Sequence, residues 1–564
     1  MTTQSDTTPD GLTLSRRAGR LVKRFYVATA LLLALLLAGC QGQTSLPPTR
    51  GFLLISIDTL RADHLGCYGY QRDTSPFIDS LAARGVLFEN AFVQLPGTLP
   101  SHMSIFTGLY PAEHGVMPPA GVLSPDIETL PEAFQRSGYR TAGHTEGGYM
   151  HGGYGFARGF DEFSHEAKKI ETDVERTVAR GLDFLRRLDE DERFFLFLHS
   201  YVVHDPYFPP KEYRERFWPR PEPDTFPATG PNLVAVNRGE RTLSPEGLEF
   251  FRASYDASIR YMDDVLRGFF AEVEQLGLLN ETTVILTSDH GEEFLEHGEL
   301  THEQIYPETL RVPLVVLHPA IGSPRRVATV VQSIDLAPTL YAIAGVEPAT
   351  HPSGRSLVGL LAGADEKESE AFATSFGERN RALIRRRGES LHQLVLSQAA
   401  AAGEAVWVSG AQVFDTFEGR LELEVKGFYT SDRLQVTVDG EPAAAVDLAP
   451  DEWTAVKLDL SGGAEKKRIR LTSSGCTVPK DVGLGEDRRC LSFMIRGVPL
   501  RLLELYDLAH DPLASDDVSV REEHLLRRML PRLDDYDREP IATSEVQNMD
   551  PELEQRLRAL GYLQ

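Results

Sequence analysis

The chain has 564 residues, of which 41% are hydrophobic and 25% are charged. This composition is close to ordinary globular usage, which argues against wholesale disorder or collagen-like repeats, and the length corresponds to roughly two to four domains. The formal net charge of −25 argues against general nucleic-acid binding because an acidic surface repels phosphate backbones, and four cysteines are too few for a disulfide-scaffold protein.

The first 40 residues are predicted to form a lipoprotein-type signal peptide. Basic residues precede an apolar run from Phe25 to Leu37, which is shorter than the roughly 20 residues that a membrane span requires. The run ends in Leu37-Ala38-Gly39-Cys40, which resembles a bacterial lipoprotein cleavage site, and this resemblance implies that Cys40 carries lipid. The alternative is an ordinary signal peptide or a short anchor in which the cysteine occurs by chance.

A lipid on Cys40 would hold the rest of the chain at a membrane surface, because each acyl CH₂ group buried in the membrane contributes ~0.8 kcal/mol to the free energy of binding. We therefore expect a protein of the bacterial cell envelope, facing the periplasm or at the outer membrane, with residues 41–50 as a linker.

Residues 51–395 are predicted to form a catalytic α/β domain. Short apolar runs are typical of buried parallel strands, and longer segments with apolar residues at helical spacing alternate with them. This alternation predicts a parallel sheet covered on both faces. The predicted strands are Phe52–Ile57, Phe194–Leu198 and Thr283–Thr287, and the predicted helices are Pro76–Gly85 and Tyr255–Leu278.

Residues 396–500 are predicted to form an inserted β-rich region, an antiparallel sheet or a small sandwich, because short strands follow one another without a long amphipathic helix. The predicted strands are Ala405–Val408, Leu421–Val425, Leu434–Val438, Thr454–Leu460 and Arg468–Leu471. Residues 501–564 are predicted to be a C-terminal segment with helices over Glu522–Leu533 and Pro551–Leu560.

Two cysteines of the β-rich region, Cys476 and Cys490, are predicted to pair in an oxidising periplasm. The disulfide would close a short loop and stabilise the fold by roughly 3 kcal/mol in the chain-entropy estimate. Two buried thiols are the alternative.

Metal-ligating side chains follow two of the predicted strands. Asp58 comes directly after the first strand, and Asp289 and His290 follow the strand over residues 283–287. Ligands of open parallel sheets gather at the carboxyl ends of the strands, so these residues can meet although they are far apart in the sequence. Carboxylate oxygen and imidazole nitrogen are good ligands for divalent cations. Taken singly, an Asp after a strand is more commonly a helix cap.

A hydroxyl with nucleophilic potential lies in the segment Pro96–Pro111. A helix starting at Ser101 would place Thr98 near its N-terminus, where backbone N–H groups favour anionic groups. Beside a metal ion the Thr98 hydroxyl could act as a nucleophile. A plain loop-to-helix junction is the alternative interpretation.

Together these segments resemble the sulfatase family of the alkaline phosphatase superfamily. The resemblance implies an α/β fold of the alkaline-phosphatase-like sandwich type, with a central mostly parallel sheet flanked by helices and a C-terminal β-rich region. It also implies metal-dependent cleavage or transfer of a sulfate or phosphate ester. The matching segments are Leu53–Gly69, Ser75–Asp79, Gly85–Ala91, Pro100-Ser101, Thr107-Gly108, Pro111–Val116, Gly159–Phe163, Tyr261–Asp264, Arg311–Leu314, Leu505–Leu508 and Asp511-Pro512.

The nucleophile position departs from the family pattern. Sulfatases have Cys or Ser there, oxidised to formylglycine, whereas this chain has Thr98, and His102 stands where the family has Arg. Oxidation of threonine would give a ketone, so no formylglycine is expected. Phosphoethanolamine transferases and phosphodiesterase-type relatives use an unmodified Thr with zinc, and their second metal motif resembles Ser288–Glu292 followed by His302.

The resemblance implies one or two divalent ions, calcium or zinc. The implied metal ligands are Asp58, Thr98, Asp289, His290 and His302, and the implied catalytic residues are Thr98, His102 and His204. A surface-loop histidine is the alternative for His302, and a turn residue is the alternative for His204.

Three functions remain open at this point. The first is a metal-dependent sulfatase-family hydrolase of sulfate or phosphate esters. The second is a phosphoryl or phosphoethanolamine-type transferase or a phosphodiesterase. The third is a catalytically inactive, lipid-anchored binding protein. The expected substrate is a small anionic ester, or a sulfated or phosphorylated glycan or lipid.

Overall fold

The computed structural model describes residues 46–165, 173–376, 380–398, 406–409, 411–416, 420–427, 432–438, 441–450, 452–460, 467–473, 491–496, 501–519, 521–536, 538–542, 545–546 and 557. The expected signal peptide with Cys40, the Cys476–Cys490 pair, and the expected helix Pro551–Leu560 apart from Leu557 lie outside these residues. Within the described part of the chain, no helix combines the length and apolarity needed to cross a membrane.

Strands and helices alternate over the first two thirds of the described residues, and strands dominate after residue 368. The strands are β1 Gly51–Ile57, β2 Val86–Phe92, β3 Gly121–Val122, β4 Arg140–His144, β5 Glu162–Ser164, β6 Phe194–Ser200, β7 Thr282–Thr287, β8 Glu293–Phe294, β9 Leu300–Thr301, β10 Arg311–Leu317, β11 Arg325–Gln332, β12 Glu368–Thr374, β13 Asn380–Arg387, β14 Ser390–Gln398, β15 Val406–Ser409, β16 Ala411–Thr416, β17 Arg420–Gly427, β18 Asp432–Val438, β19 Glu441–Leu448, β20 Thr454–Asp459, β21 Lys467–Ser473, β22 Leu491–Arg496, β23 Arg501–Asp507 and β24 Glu545–Val546. The α-helices are α1 Pro76–Ala82, α2 Thr98–Thr107, α3 Pro111–His114, α4 Leu130–Arg136, α5 Val174–Arg186, α6 Lys211–Phe217, α7 Gly230–Asn237, α8 Pro245–Gln275, α9 Pro307–Leu310, α10 Leu336–Ala344, α11 Val358–Leu361 and α12 Glu523–Asp534.

A central sheet of eight strands has the order β11-β2-β10-β7-β1-β6-β4-β5. Every neighbouring pair is parallel except those formed by β10, which runs antiparallel to both β2 and β7. Strand β1 lies in the interior of this sheet between β6 and β7. The mostly parallel sheet and the antiparallel sheets that follow it confirm the predicted fold class.

Strand β1 is apolar apart from Ser56 because its two faces pack into two different cores. Phe52 and Leu54 belong to a core that contains α2 and α4, whereas Leu53 and Ile55 belong to a second core that contains α8. Side chains alternate between the faces of a strand, so a strand covered on both faces needs an uninterrupted apolar run.

Helix α8 covers the second face of the sheet. Its 31 residues begin ten residues before the predicted helix, at a start where the Ser244 hydroxyl accepts a hydrogen bond from Gly247 N. The Asp263 carboxylate accepts hydrogen bonds from Phe77 N and Ile78 N at 2.8–3.1 Å, which satisfies free N–H groups at the start of α1. These bonds connect helix α8 to helix α1.

The C-terminal sheets are antiparallel. One sheet has the order β12-β13-β14-β23, and two further four-stranded sheets have the orders β15-β22-β17-β20 and β16-β21-β18-β19. The last two share one apolar core, as in a sandwich. Strand β14 continues to Gln398, past the expected boundary at 395/396, and β23 begins at Arg501. The domain boundaries stay predictions.

The first prediction concerns Ile55, which is 1% exposed in the interior of the sheet. We expect Ile55→Ala to lower the free energy of unfolding by about 2–5 kcal/mol, because the buried cavity it leaves cannot fully collapse. The midpoint of urea unfolding, followed by circular dichroism, measures the change. Leu276→Ala is the control, since Leu276 is 38% exposed and its change should stay within about 0.5 kcal/mol. Equal effects of the two variants would contradict the assignment of Ile55 to the core.

Candidate active site

The site lies at the carboxyl ends of β1 and β7. These two strands pair in parallel with Ser56 opposite Thr287, so the residues that follow them, Asp58 on one side and Asp289 with His290 on the other, come together. Thr98 is the first residue of α2, which begins three residues earlier than the predicted start at Ser101. All four side chains are at most 1% exposed.

The carboxylates of Asp58 and Asp289 and the imidazole of His290 each offer an atom within 4.8 Å of the other two. His290 Nε2 lies 3.3 Å from Asp289 Oδ2 and 3.9 Å from Asp58 Oδ1. The Thr98 hydroxyl faces this cluster, since its Oγ1 donates to Asp58 Oδ2 at 3.2 Å and lies 3.5 Å from His290 Nε2.

The donor set suits a divalent cation. Among the residues that the structure describes, neither Asp58 Oδ1 nor Asp289 Oδ2 has a hydrogen-bond partner, although both atoms are buried. His290 Nδ1 donates to Gly291 O at 2.9 Å, which leaves Nε2 unprotonated and able to bind a metal. Two carboxylates and one imidazole are ligands that zinc accepts, and the oxygens also suit calcium.

The protonation of each carboxylate depends on its neighbours. Burial, and next the nearby Asp289 carboxylate, raise the pKa of Asp58 well above its usual range. Burial also acts to raise the pKa of Asp289, but the neighbouring imidazoles, His290 and His102 foremost, lower it to about 2. Two buried, ionised carboxylates whose oxygens lie within 4.8 Å of each other repel, and a bound cation would relieve that repulsion.

The loops that carry the cluster are tightly constrained. Thr59, which follows Asp58, has a φ of 56°, a left-handed conformation that is rare for a β-branched residue. This turn brings Thr59 N to 3.4 Å from Asp289 Oδ1. A Cβ on Gly291 would lie 1.8 Å from the carbonyl oxygen of Glu308, so only glycine fits where the second loop passes α9. Strained backbone held in place by its surroundings is common at active sites.

A buried arginine holds the two loops together. Arg61 lies three residues after Asp58, and its Nη1 donates to Glu292 O at 2.9 Å and to Glu296 Oε1 at 2.8 Å. The remaining side of its guanidinium bonds Asp63. Arg61 is 2% exposed, and its guanidinium donors bond protein groups beside the cluster. Its role is therefore structural.

His102 lies beneath Thr98 in the structure. One turn along α2, its Nδ1 donates to Thr98 O at 2.9 Å, and its Nε2 accepts from Ser56 Oγ at 2.9 Å. Burial lowers the pKa of His102 to about 4, so the ring is neutral at pH 7. Both ring nitrogens are thus engaged in holding the first turn of α2, and the predicted catalytic role of His102 stays a prediction.

His204 and His302 lie to one side of the cluster. Burial acts to lower the pKa of His204, but the Asp205 carboxylate, 2.9 Å from Nδ1, raises it to about 10, so the ring is positively charged. The His302 ring is 4.3 Å from that of His290 and 5.4 Å from that of His204, and its Nδ1 lies 3.2 Å from Glu292 Oε1. His302 is outside the mutually close group, and its predicted role as a ligand stays a prediction.

His199 also contacts the cluster, although no motif in the sequence predicts it. This residue is the sixth of β6, and its Nε2 lies 3.2 Å from Asp58 Oδ2. A polar side chain that closes an otherwise apolar strand, as in the run Phe194–Ser200, is the pattern that could have revealed it.

Comparison with known proteins identifies the family. The sulfatase family model matches residues 50–346, more than half of the chain. The arylsulfatase of Clostridium perfringens is 26% identical over 373 residues, which are 55% of this chain and 78% of that protein.

Two solved structures share the fold. A protein in complex with its substrate D-glucosamine-2-N,6-O-disulfate has a TM-score of 0.56 and 16% identity, covering 87% of this chain and 99% of that one. The phosphonate monoester hydrolase of Agrobacterium radiobacter has a TM-score of 0.55 and 17% identity, covering 87% and 96%. The extent of the family match, the mostly parallel sheet and the residues at its edge agree: the chain belongs to the sulfatase family of ester hydrolases, in the alkaline phosphatase superfamily.

Proposed function

We propose that this protein is a metal-dependent hydrolase of sulfate or phosphate esters in which Thr98 is the nucleophile. The observation that carries the proposal is the position of Thr98 Oγ1, 3.2 Å from Asp58 Oδ2 and 3.5 Å from His290 Nε2, at the edge of a cluster of buried, unsatisfied ligand atoms. Asp58, Asp289 and His290 would hold the cation. When bound, a divalent ion there supplies positive charge to the ester oxygens.

The side chains around the cluster have distinct tasks in this mechanism. The hydrogen bond from Thr98 Oγ1 to Asp58 Oδ2 gives the hydroxyl proton an acceptor and directs the oxygen lone pairs away from the carboxylate. Oγ1 attacks the sulfur or phosphorus atom, and the bond between that atom and the alcohol oxygen breaks. The charged His204 is the proposed proton donor to the leaving alcohol. Water then hydrolyses the Thr98 ester, which restores the hydroxyl and releases sulfate or phosphate.

The N-terminus of α2 supports this arrangement. Thr98 is the first residue of the helix, and the first N–H groups of a helix have no partner inside it. These groups and the helix dipole favour the negative charge of a sulfuryl or phosphoryl group held against Thr98.

A phosphodiesterase or phosphoryl transferase is the second proposal. It is favoured by the unmodified Thr98 and by the imidazole ligand His290, because zinc accepts nitrogen ligands whereas calcium prefers oxygen. The retained cluster of Asp58, Asp289 and His290 disfavours the inactive binding protein, since an inactive site would gain nothing from buried carboxylates without partners.

We infer that the substrate is a sulfated or phosphorylated glycan or a related small anionic ester. Family membership supports this class of substrate, as does the fold shared with a protein whose own substrate is a disulfated glucosamine.

We also propose that lipid on Cys40 anchors the protein to a membrane of the bacterial cell envelope. The apolar run that ends in Leu37-Ala38-Gly39-Cys40 supports this proposal.

The second prediction concerns the nucleophile. We expect Thr98→Ala to lower kcat/KM by a factor of about 10³–10⁶, because the attacking oxygen is lost, and Thr98→Ser to retain turnover. The measurement uses 4-nitrophenyl sulfate, bis(4-nitrophenyl) phosphate and a 4-nitrophenyl phosphonate ester, which also separates the two candidate activities. Thr107→Ala at the other end of α2 is the matched control, because its hydroxyl donates to Met103 O and accepts from Leu109 N, and neither partner belongs to the cluster. Undiminished turnover by Thr98→Ala would refute the assignment.

The third prediction concerns the metal. We expect dialysis against a chelator to abolish activity and to lower the melting temperature, because the free energy of ion binding then no longer favours the folded state. Adding back Zn²⁺ or Ca²⁺ at 100 times its Kd should restore about 2.7 kcal/mol of stability. Elemental analysis gives the identity and stoichiometry of the ion. Asp289→Asn should bind it weakly, whereas the exposed control Asp183→Asn should bind normally. A metal-free protein that remains active would contradict the proposal.

The fourth prediction concerns the anchor. In a bacterial host fed an alkyne-tagged fatty acid, we expect the full chain to be labelled and to sediment with membranes, because Cys40 is acylated. Cys40→Ser should lose both properties, and Cys67→Ser should keep them. Labelling that persists in Cys40→Ser would show that Cys40 is not the lipid site.

A further inference from the structure

His199 lies near the carboxyl end of β6, where the hydrophobic core ends and the candidate site begins. Strands β1 and β6 pair in parallel with Ser56 opposite His199, and Phe195 and Phe197 precede His199 on the same face. That face packs against α2. After Phe195 and Phe197, the next side chain on this face is thus the His199 imidazole instead of an apolar group. It lies beside Asp58, the residue that follows β1.

The protonation of His199 follows from its contacts. In the ionised form, which is the form that binds a cation, Asp58 Oδ2 only accepts, so His199 Nε2, at 3.2 Å, carries the hydrogen that it donates. The other nitrogen, Nδ1, is buried and has no hydrogen-bond partner among the described residues. A second proton there would leave a buried N–H unsatisfied, so the ring is the neutral Nε2–H tautomer.

The His199 ring has little freedom to turn. It packs edge-on against the ring of His102 at 4.9 Å and against that of Tyr201 at 4.7 Å, and it is 1% exposed. Its N–H is thus a fixed donor for one oxygen of Asp58. The other oxygen, Oδ1, lies on the side of His290 and has no hydrogen bond from any residue in the described part of the chain.

We propose that His199 is a positioning residue for the metal site: its Nε2–H fixes one oxygen of Asp58 so that the carboxylate presents a free lone pair to a divalent cation held with Asp289 and His290. This inference rests on the proposed metal dependence and assigns to His199 no contact with the ion. Groups that orient metal ligands in this way typically change metal affinity by a factor of about 10–100 when they are removed.

The fifth prediction tests the donor and the shape of residue 199 separately. His199→Phe keeps a ring for the packing against His102 and Tyr201 but cannot donate, and we expect its Kd for Zn²⁺ to rise about 10–100-fold. His199→Gln places an amide N–H near the position of Nε2 and should have a Kd close to that of the wild type. Titration of Zn²⁺ into chelator-treated full-length protein by calorimetry gives each Kd, with Ca²⁺ titrated in parallel. His199→Leu replaces the Phe variant if that variant does not fold, as judged by circular dichroism.

His144→Leu is the matched control. His144 is a buried histidine at the end of the adjacent strand β4, but its Nδ1 bonds Ser164 Oγ and not a residue of the cluster. Its loss should leave the Kd unchanged. If the wild type binds the ion and His199→Phe binds it equally well, or if His199→Gln is as weak as His199→Phe, His199 fills space only and the inference fails. If the wild type binds no divalent ion, the proposed metal site fails, and the inference fails with it.

Discussion

Two buried carboxylates that face each other, Asp58 and Asp289, are the constraint on which the site depends. Neither is exposed to water, and each retains an oxygen without a hydrogen-bond partner within the described residues. In a medium of low dielectric constant such a pair is stable only if nearby groups compensate its charge. Thr98 and the proposed His199 donor bring hydrogen bonds but no positive charge to Asp58, so the charge of the ionised pair is left for a bound cation to compensate.

The fixed positive charges around the cluster have other partners. Arg61 is paired with Asp63 and Glu296 and joins the two ligand loops, and His204 is paired with Asp205. A chain with a net charge of −25 that is proposed to bind an anionic ester therefore depends on local charge. In the proposed mechanism that charge comes from the cation and from the N-terminus of α2, whereas His204 supplies a proton.

Much of the fold could be predicted from hydrophobic patterning. The nearly continuous apolar run of β1 indicates two covering layers, and the short strands after residue 405 indicate an antiparallel arrangement. The strand-end rule also anticipated that Asp58 would meet Asp289 and His290, since parallel neighbours bring their carboxyl ends to the same edge. Hydrophobic patterning did not predict every strand of the central sheet; those it left out include β2, β4, β10 and β11. The antiparallel direction of β10 follows from its pairing with β2 and β7, which only the tertiary structure shows.

The side-chain contacts within the site depended on packing between distant segments. His102 matches an arginine position of the family, yet the structure directs its two nitrogens to Thr98 O and Ser56 Oγ because α2 lies directly on β1. His199 carried no motif, and only the register of β6 against β1 places it beside Asp58.

The sequence by itself determined the family, the layered fold and the residue types that converge at the sheet edge, because periodicity and motif spacing are local properties of the chain. The tertiary structure alone decided which nitrogen of each histidine is engaged, which carboxylate oxygens remain unsatisfied and where glycine is obligatory. Those features arise from contacts between segments up to about 230 residues apart, such as Thr59 with Asp289, and such contacts are specified by packing rather than by local pattern.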